Sequence, residues 1–181
     1  MKKLLFIAMV LFMGMSVQAQ FSRAELQATG LTCAMCSNAI NKALQQLPYV
    51  ENVKVDIKSS VYQISFREGA AVSIDGLKNA VEDAGFSVGN LKLSGRFNNV
   101  SVANDTHVQI GNETFHFLDI KDQVLNGEQT ITVVDKNFVS PKKFKKFSNA
   151  TRMACVHTGK AGSCCSRDGI KADTRIYHVT I

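Results

Sequence analysis

Apolar and polar positions change their period several times along this chain of 181 residues. Ile40, Ala43, Leu44 and Leu47 recur at i, i+3, i+4 and i+7, one apolar stripe of a helix that Pro48 helps to stop. Val53, Val55 and Ile57 then alternate with polar residues, Ser59 and Ser60 turn the chain, and Tyr62, Ile64 and Phe66 alternate again. That is the pattern of a β-hairpin. Ser73 is placed to cap a second helix carrying Ile74, Leu77, Val81 and Ala84, with Asp75 in its first turn and Gly85 just past its end. A strand over residues 25–28 precedes the first helix, and a strand over 86–93 follows the second.

The resulting βαββαβ order is the ferredoxin-like split βαβ arrangement, with both helices on one face of a four-stranded antiparallel sheet. From Arg96 onward the pattern changes class. Strands are expected over 91–97, 106–110, 113–120, 129–135 and 175–181, with turns at Gly111-Asn112 and Asn126-Gly127. The expectation is therefore an α+β protein: a ferredoxin-like domain over 20–94, then a small mainly-β domain over 95–181 of OB-like barrel type, the change falling near Ser94-Gly95.

The first nineteen residues read as a leader rather than as fold. Lys2 and Lys3 precede an apolar run from Leu4 to Met15, and Val17-Gln18-Ala19 supplies the small residues of a secretory cleavage site. Twelve apolar residues fall short of the roughly 20 that cross a bilayer. A soluble, periplasmic or secreted protein is the expectation. Taking Lys2 and Lys3 from the 21 basic residues leaves 19 against 15 acidic ones, a charge of +4. The 45% hydrophobic content excludes a disordered chain. Asn99, Asn104, Asn112 and Asn149 each begin an N-x-S/T sequon, which would place glycans on these loops in a eukaryotic host and carries no such meaning in a bacterial envelope, the reading that the short Lys-Lys leader favours.

The one dense basic segment is Lys142-Lys143-Phe144-Lys145-Lys146-Phe147. Aromatics interleaved with lysines can bind nucleic acid. Phe144 and Phe147 are three apart, however, so the preferred reading is one amphipathic turn with its Phe pair inward and its lysines solvated, and no nucleic-acid partner.

Chemistry is concentrated in cysteine. Cys33 and Cys36 stand three apart in Gly-Leu-Thr-Cys-Ala-Met-Cys, where the first strand meets the first helix. A helix N-terminus favours ionised thiols, and a thiolate pair selects soft ions: Cu(I) first, with Hg(II) and Zn(II) as competitors. A thiol-disulfide redox pair is the principal rival and a structural disulfide the third reading. Met35, between the two thiols, reads as an exposed loop filler. Farther on, Met153, Cys155 and His157 alternate, so in an extended segment they share a side, and Cys164-Cys165 return after a Gly-containing loop. Cys155, His157, Cys164 and Cys165 are thus either a second soft-metal or zinc set, or the site of a disulfide. His107, His116 and His178 fall in strand patterns and read as ordinary sheet residues. No phosphate loop, nucleophile elbow or carboxylate pair is present, so an enzyme is not expected.

Residues 25–93 resemble the heavy-metal-associated domain family of copper chaperones, metal-transporting P-type ATPases and the periplasmic mercuric-ion-binding protein. The likeness rests on the Cys33–Cys36 motif, the βαββαβ pattern and Glu82-Asp83-Ala84-Gly85-Phe86. It implies that Cys33 and Cys36 are the metal ligands, that Thr32 and Ala34 shape the loop, and that Phe86 lies beside it. Leu31 stands where the family usually has Met. The implied role is a periplasmic carrier or scavenger, of Cu(I) first. Its partner would be a metal-transporting membrane protein or another carrier, reached by ligand exchange. A mercury-binding protein, a metal-sensing adaptor and a thiol-disulfide oxidoreductase are the alternatives.

Overall fold

The computed structural model describes residues 20–31 and 34–181, so the leader over 1–19 and the pair Thr32 and Cys33 lie outside the described residues. β1 (Gln20–Thr29), α1 (Ala34–Gln45), β2 (Val50–Asp56), β3 (Val61–Phe66), α2 (Ile74–Asp83) and β4 (Ser87–Val102) follow in the βαββαβ order. They pair as β2-β3-β1-β4, all antiparallel. The stripe read on α1 is its buried face: Ile40 and Leu44 are completely buried, and each contributes roughly 1.5–3 kcal/mol of apolar burial. On α2 the Ser73 hydroxyl accepts from the Gly76 amide, and Gly85 takes φ +88° just beyond the last turn. Ile57 departs from the hairpin expectation. It lies past the end of β2, in the turn, and is exposed.

The second half adds β5 (Thr106–Ile110), β6 (Glu113–Phe117), β7 (Gln123–Val133), α3 (Pro141–Ser148), α4 (Cys155–Thr158), a 3-10 turn (Ser163–Asp168) and β8 (Ile176–Thr180). These strands extend the first sheet, in the order β2-β3-β1-β4-β7-β8-β6-β5. The expected OB-like barrel is therefore replaced by an open eight-stranded sheet whose end strands, β2 and β5, do not pair with each other. The reason is β4. It alternates inward residues at Leu91, Leu93, Gly95 and Phe97, runs unbroken through Ser94-Gly95, and carries β1 on one edge and β7 on the other. An irregularity between Phe97 and Val100, with Asn99 at φ 52°, shifts the inward positions to Val100 and Val102.

One hydrophobic core accordingly runs along the whole sheet, from Leu26, Ile40 and Leu77 to Phe115, Tyr177 and Val179. Phe21 of β1 packs edge-on against both Phe97 and Phe115. Residues of β6 and β8 on the opposite side alternate with these, and the chain from α3 to β8 covers that side. Phe144 and Phe147 of α3 pack against Leu118, Val134 and Val156, while the four lysines stay exposed. Among the described residues no helix is long and apolar enough to cross a membrane.

Candidate metal centre

The two ends of the connection between β1 and α1 are fixed by their neighbours. Gly30 leaves β1 at φ +88°, a conformation that favours glycine, and Leu31 tucks against the main core. Phe86 stands at ordinary contact distance from the Cβ position of Gly30, so the aromatic ring expected beside the loop is there. Cys36 occupies the first turn of α1 and is half-buried, whereas Met35 is 83% exposed. Beneath that turn Tyr62 of β3 is fully buried, and its hydroxyl donates to the Ser37 carbonyl at 3.2 Å. Burial first, with charge on Cys36 adding to it, raises the Tyr62 phenol above its ordinary 10, against an opposing pull from the Ser37 side chain. The phenol therefore stays a neutral donor that pins the start of the helix. Cys33 lies outside the described residues; its three-residue spacing to Cys36 is a fact of sequence.

Gly30→Ala tests the loop. A side chain at that φ costs about 1–2 kcal/mol, with no steric clash to add, since Phe86 is 4.0 Å away. A loss of that size in urea unfolding is the expected outcome, and no loss would show that the loop relaxes freely.

The distal cysteines are also brought together, with different companions from those expected. Cys155–Thr158 is a helical turn, not an extended segment, so alternate residues diverge. His157 is exposed and its ring lies edge-on to Phe144. It is not part of the cluster. Met153 packs with the apolar residues around Cys155 and Cys165. Cys155 lies instead 3.7 Å from His116 Nδ1 and 3.9 Å from His107 Nε2, and its sulfur also groups with those of Cys164 and Cys165. The Cys164 and Cys165 sulfurs are 3.4 Å apart and unbonded.

Strand periodicity explains why His107 and His116 look ordinary in the sequence. They become neighbours through register: His107 pairs with His116 across β5 and β6, and His116 with His178 across β6 and β8. Three imidazoles form a row, the first two stacked at 4.4 Å and the second pair edge-on at 5.1 Å. Burial, with His178 and His107 beside it, pushes the His116 imidazole down to about 4, so it is neutral at pH 7.

Residues 25–87 match the model of the heavy-metal-associated domain. The copper chaperone CopZ of Staphylococcus haemolyticus is 34% identical over 59 residues, which cover 33% of this chain and 85% of the chaperone. The probable copper-transporting ATPase HMA5 of Arabidopsis thaliana is 34% identical over 65 residues, or 36% of this chain, and this chain spans 6% of the ATPase's own length. Among solved structures, the N-terminal domain of a potential copper-translocating P-type ATPase from Bacillus subtilis, in its Cu(I)-loaded state, is 33% identical. That alignment covers 42% of this chain and 90% of the domain, with a TM-score of 0.35. Both Cys33 and Cys36 fall inside the matched stretch.

Proposed function

Because residues 25–87 make this chain a member of the heavy-metal-associated domain family, we propose that it handles copper, holding one Cu(I) between Cys33 and Cys36. The observation that carries this reading is the position of Cys36, in the first turn of α1 above buried Tyr62, three residues after a second thiol within a stretch that aligns with a copper chaperone. Two thiolates at a helix start are soft donors, and they favour Cu(I) over hard cations. Transfer proceeds by ligand exchange: a partner thiolate or thioether joins the ion, and one original sulfur then leaves. The partner is a copper-transporting ATPase or another carrier, and no catalysis is involved. Hg(II) and Zn(II) suit the same pair of sulfurs and are competitors for it.

The Lys2-Lys3 leader and its apolar run support a periplasmic location for the carrier. Metal analysis of protein isolated from its native compartment tests the reading directly. Copper near one equivalent or more supports it, and zinc or mercury alone in a copper-replete culture would overturn the choice of ion.

A redox role predicts different behaviour. A catalytic disulfide has a fairly oxidising potential and exchanges rapidly. Slow exchange and weak insulin reduction are expected here, because the proline nearest the pair, Pro48, is at the far end of α1. Turnover comparable with that of a thioredoxin would reverse the assignment.

A further inference from the structure

The geometry points to a second metal site, buried in the distal half and centred on Cys155, that takes one thiophilic d10 cation, Cu(I) or Zn(II), on the sulfurs of Cys155 and Cys164 or Cys165 and the nitrogens His107 Nε2 and His116 Nδ1. It stands independently of the proposal for Cys33 and Cys36.

The direction of the imidazole lone pairs carries the argument. His107 Nδ1 is 2.6 Å from Asp168 Oδ2, and His116 Nε2 is 2.9 Å from Asp105 Oδ1. An ionised carboxylate only accepts, so each of these nitrogens bears its ring's proton. The other two nitrogens, His107 Nε2 and His116 Nδ1, are then the ones left to offer lone pairs to a cation, and both face Cys155 Sγ. One S–H can donate to only one of them. A cation between the three atoms satisfies all of them at once, with the thiol proton released to solvent as the thiolate forms.

The surroundings are those of a metal site in other respects. The side chains of His107 and His116 are 2% and 0% exposed, and Cys155 and Cys165 are 1% and 0% exposed. Donor atoms of the His107–His116–Cys155 set lie within 4.8 Å of one another, as do those of Cys155–Cys164–Cys165. Bonds of roughly 2.0–2.3 Å place tetrahedral donors about 3.3–3.8 Å apart, so within each trio only a small contraction is needed; Cys155 Sγ is the donor the two trios share, and the turn carrying Cys164 and Cys165 closes further to bring one of its sulfurs to the histidine trio. Carboxylates behind the ligating imidazoles fix ring orientation and tautomer. Asp105 is itself held by the Thr151 hydroxyl at 2.6 Å, and Asp168 closes the 3-10 turn that carries Cys164 and Cys165. The same contact that orients His107 thus seats the two-cysteine turn over it. Mixed sulfur and nitrogen donors in a closed tetrahedron suit Zn(II), and the sulfurs suit Cu(I).

The test uses the reduced full-length Cys33→Ser/Cys36→Ser protein, titrated in one arm with Zn(II) and with Co(II) as its spectroscopic stand-in, and in the other with Cu(I) against a chromophoric chelator. One equivalent is expected in at least one arm, with sulfur-to-cobalt charge-transfer and tetrahedral d–d bands if the zinc arm responds. Adding Cys155→Ser should weaken binding at least 100-fold. Asp168→Asn should weaken it roughly 10- to 100-fold, and His157→Ala should leave it unchanged. Circular dichroism and Cu(I) binding in a Cys155→Ser protein with Cys33 and Cys36 intact separate loss of ligand from loss of fold. Absence of binding in the double variant, where the wild type binds one ion, overturns the distal site and leaves the proposal for Cys33 and Cys36 standing. Full retention by the double variant of a single wild-type ion overturns the latter instead. A count of one thiol rather than three in the double variant, denatured without reductant, marks a disulfide among Cys155, Cys164 and Cys165 and overturns the distal site.

Discussion

Replacing Cys33 or Cys36 with serine is expected to weaken Cu(I) binding at the N-terminal site by at least ~100-fold. A serine hydroxyl is a hard, neutral oxygen at pH 7, so each substitution removes one of two soft anionic donors and leaves Cu(I) with a single thiolate. The helix start that favours an ionised sulfur offers nothing equivalent to an alcohol. The measurement is competition against a chromophoric Cu(I) chelator under reductant, made in a Cys155→Ser background so that the distal cysteines do not hold the ion. The fold should be unaffected, since Cys36 is only half-buried and Tyr62 bonds the backbone of Ser37, not the thiol. Full affinity in both single variants would remove the pair from the site.

Arg175→Met should cost about 3 kcal/mol of stability, a fall of about 6–12 °C in Tm for a chain of this size. The Arg175 guanidinium grips Asp75 of α2 with two hydrogen bonds, at 2.9 and 3.1 Å, and lies 2.9 Å from Asp135 Oδ2, just beyond β7. It also stacks on Tyr177, 4.1 Å from the ring centroid. Asp135 is 3% exposed, so losing the guanidinium leaves a buried carboxylate with the His178 ring and backbone amide as partners. Methionine keeps the apolar stem, which confines the loss to charge and hydrogen bonding. The lower end of the range for broken buried pairs applies, because Asp75 is 35% exposed.

This pair also sets a pH dependence. Burial pushes the Asp75 carboxyl up, but the hydrogen bonds and charge of Arg175 outweigh burial and hold it below the ordinary 3.8. A carboxylate depressed in the folded state contributes stability that is present above 3.8 and is lost as pH falls through the folded value. The stability gap between wild type and Arg175→Met, followed by urea unfolding, should therefore be constant near neutrality and narrow below about pH 4. A gap that persists unchanged at pH 2 would assign the effect to packing on Tyr177.

Much of the first half is legible in the sequence because its signals are local. Ser73 caps α2, Gly85 ends it, Ile40 and Leu44 face the core, and Tyr62, Ile64 and Phe66 point inward from β3, all as their spacing requires. A helix period or a strand period is read within about ten residues, and the side chains that must be buried announce the face. The same local logic placed Phe144 and Phe147 inward on α3.

Where the reading went astray, the missing information was long-range or depended on a misjudged local state. Five strands in a row are compatible with a barrel or with an open sheet, and the choice lay in whether β4 stopped at Leu93 or ran on to Val102 with β7 beside it. The alternation of Met153, Cys155 and His157 was real in the sequence. It lost its meaning when Cys155–Thr158 formed a helical turn, which turned His157 out to solvent. The Cys155–Cys164–Cys165 grouping was visible from composition and a flexible connection, but its histidines were not. His107 precedes Cys155 by 48 residues and His116 precedes it by 39.

By itself, then, the sequence determined the periodic elements of the ferredoxin-like half, the three-residue spacing of Cys33 and Cys36 and the inward Phe face of α3, since each follows from residues a few positions apart. Tertiary structure alone decided that one strand, β4, would carry both halves in one sheet, and that β5, β6 and β8 would align His107, His116 and His178 in a row beneath Cys155. Backbone hydrogen bonding specifies no partner strand in advance. Register is chosen by which faces can be buried together, and here the Phe115 and Tyr177 side of these strands takes the main core and leaves the imidazoles to the other side, under the two-cysteine turn.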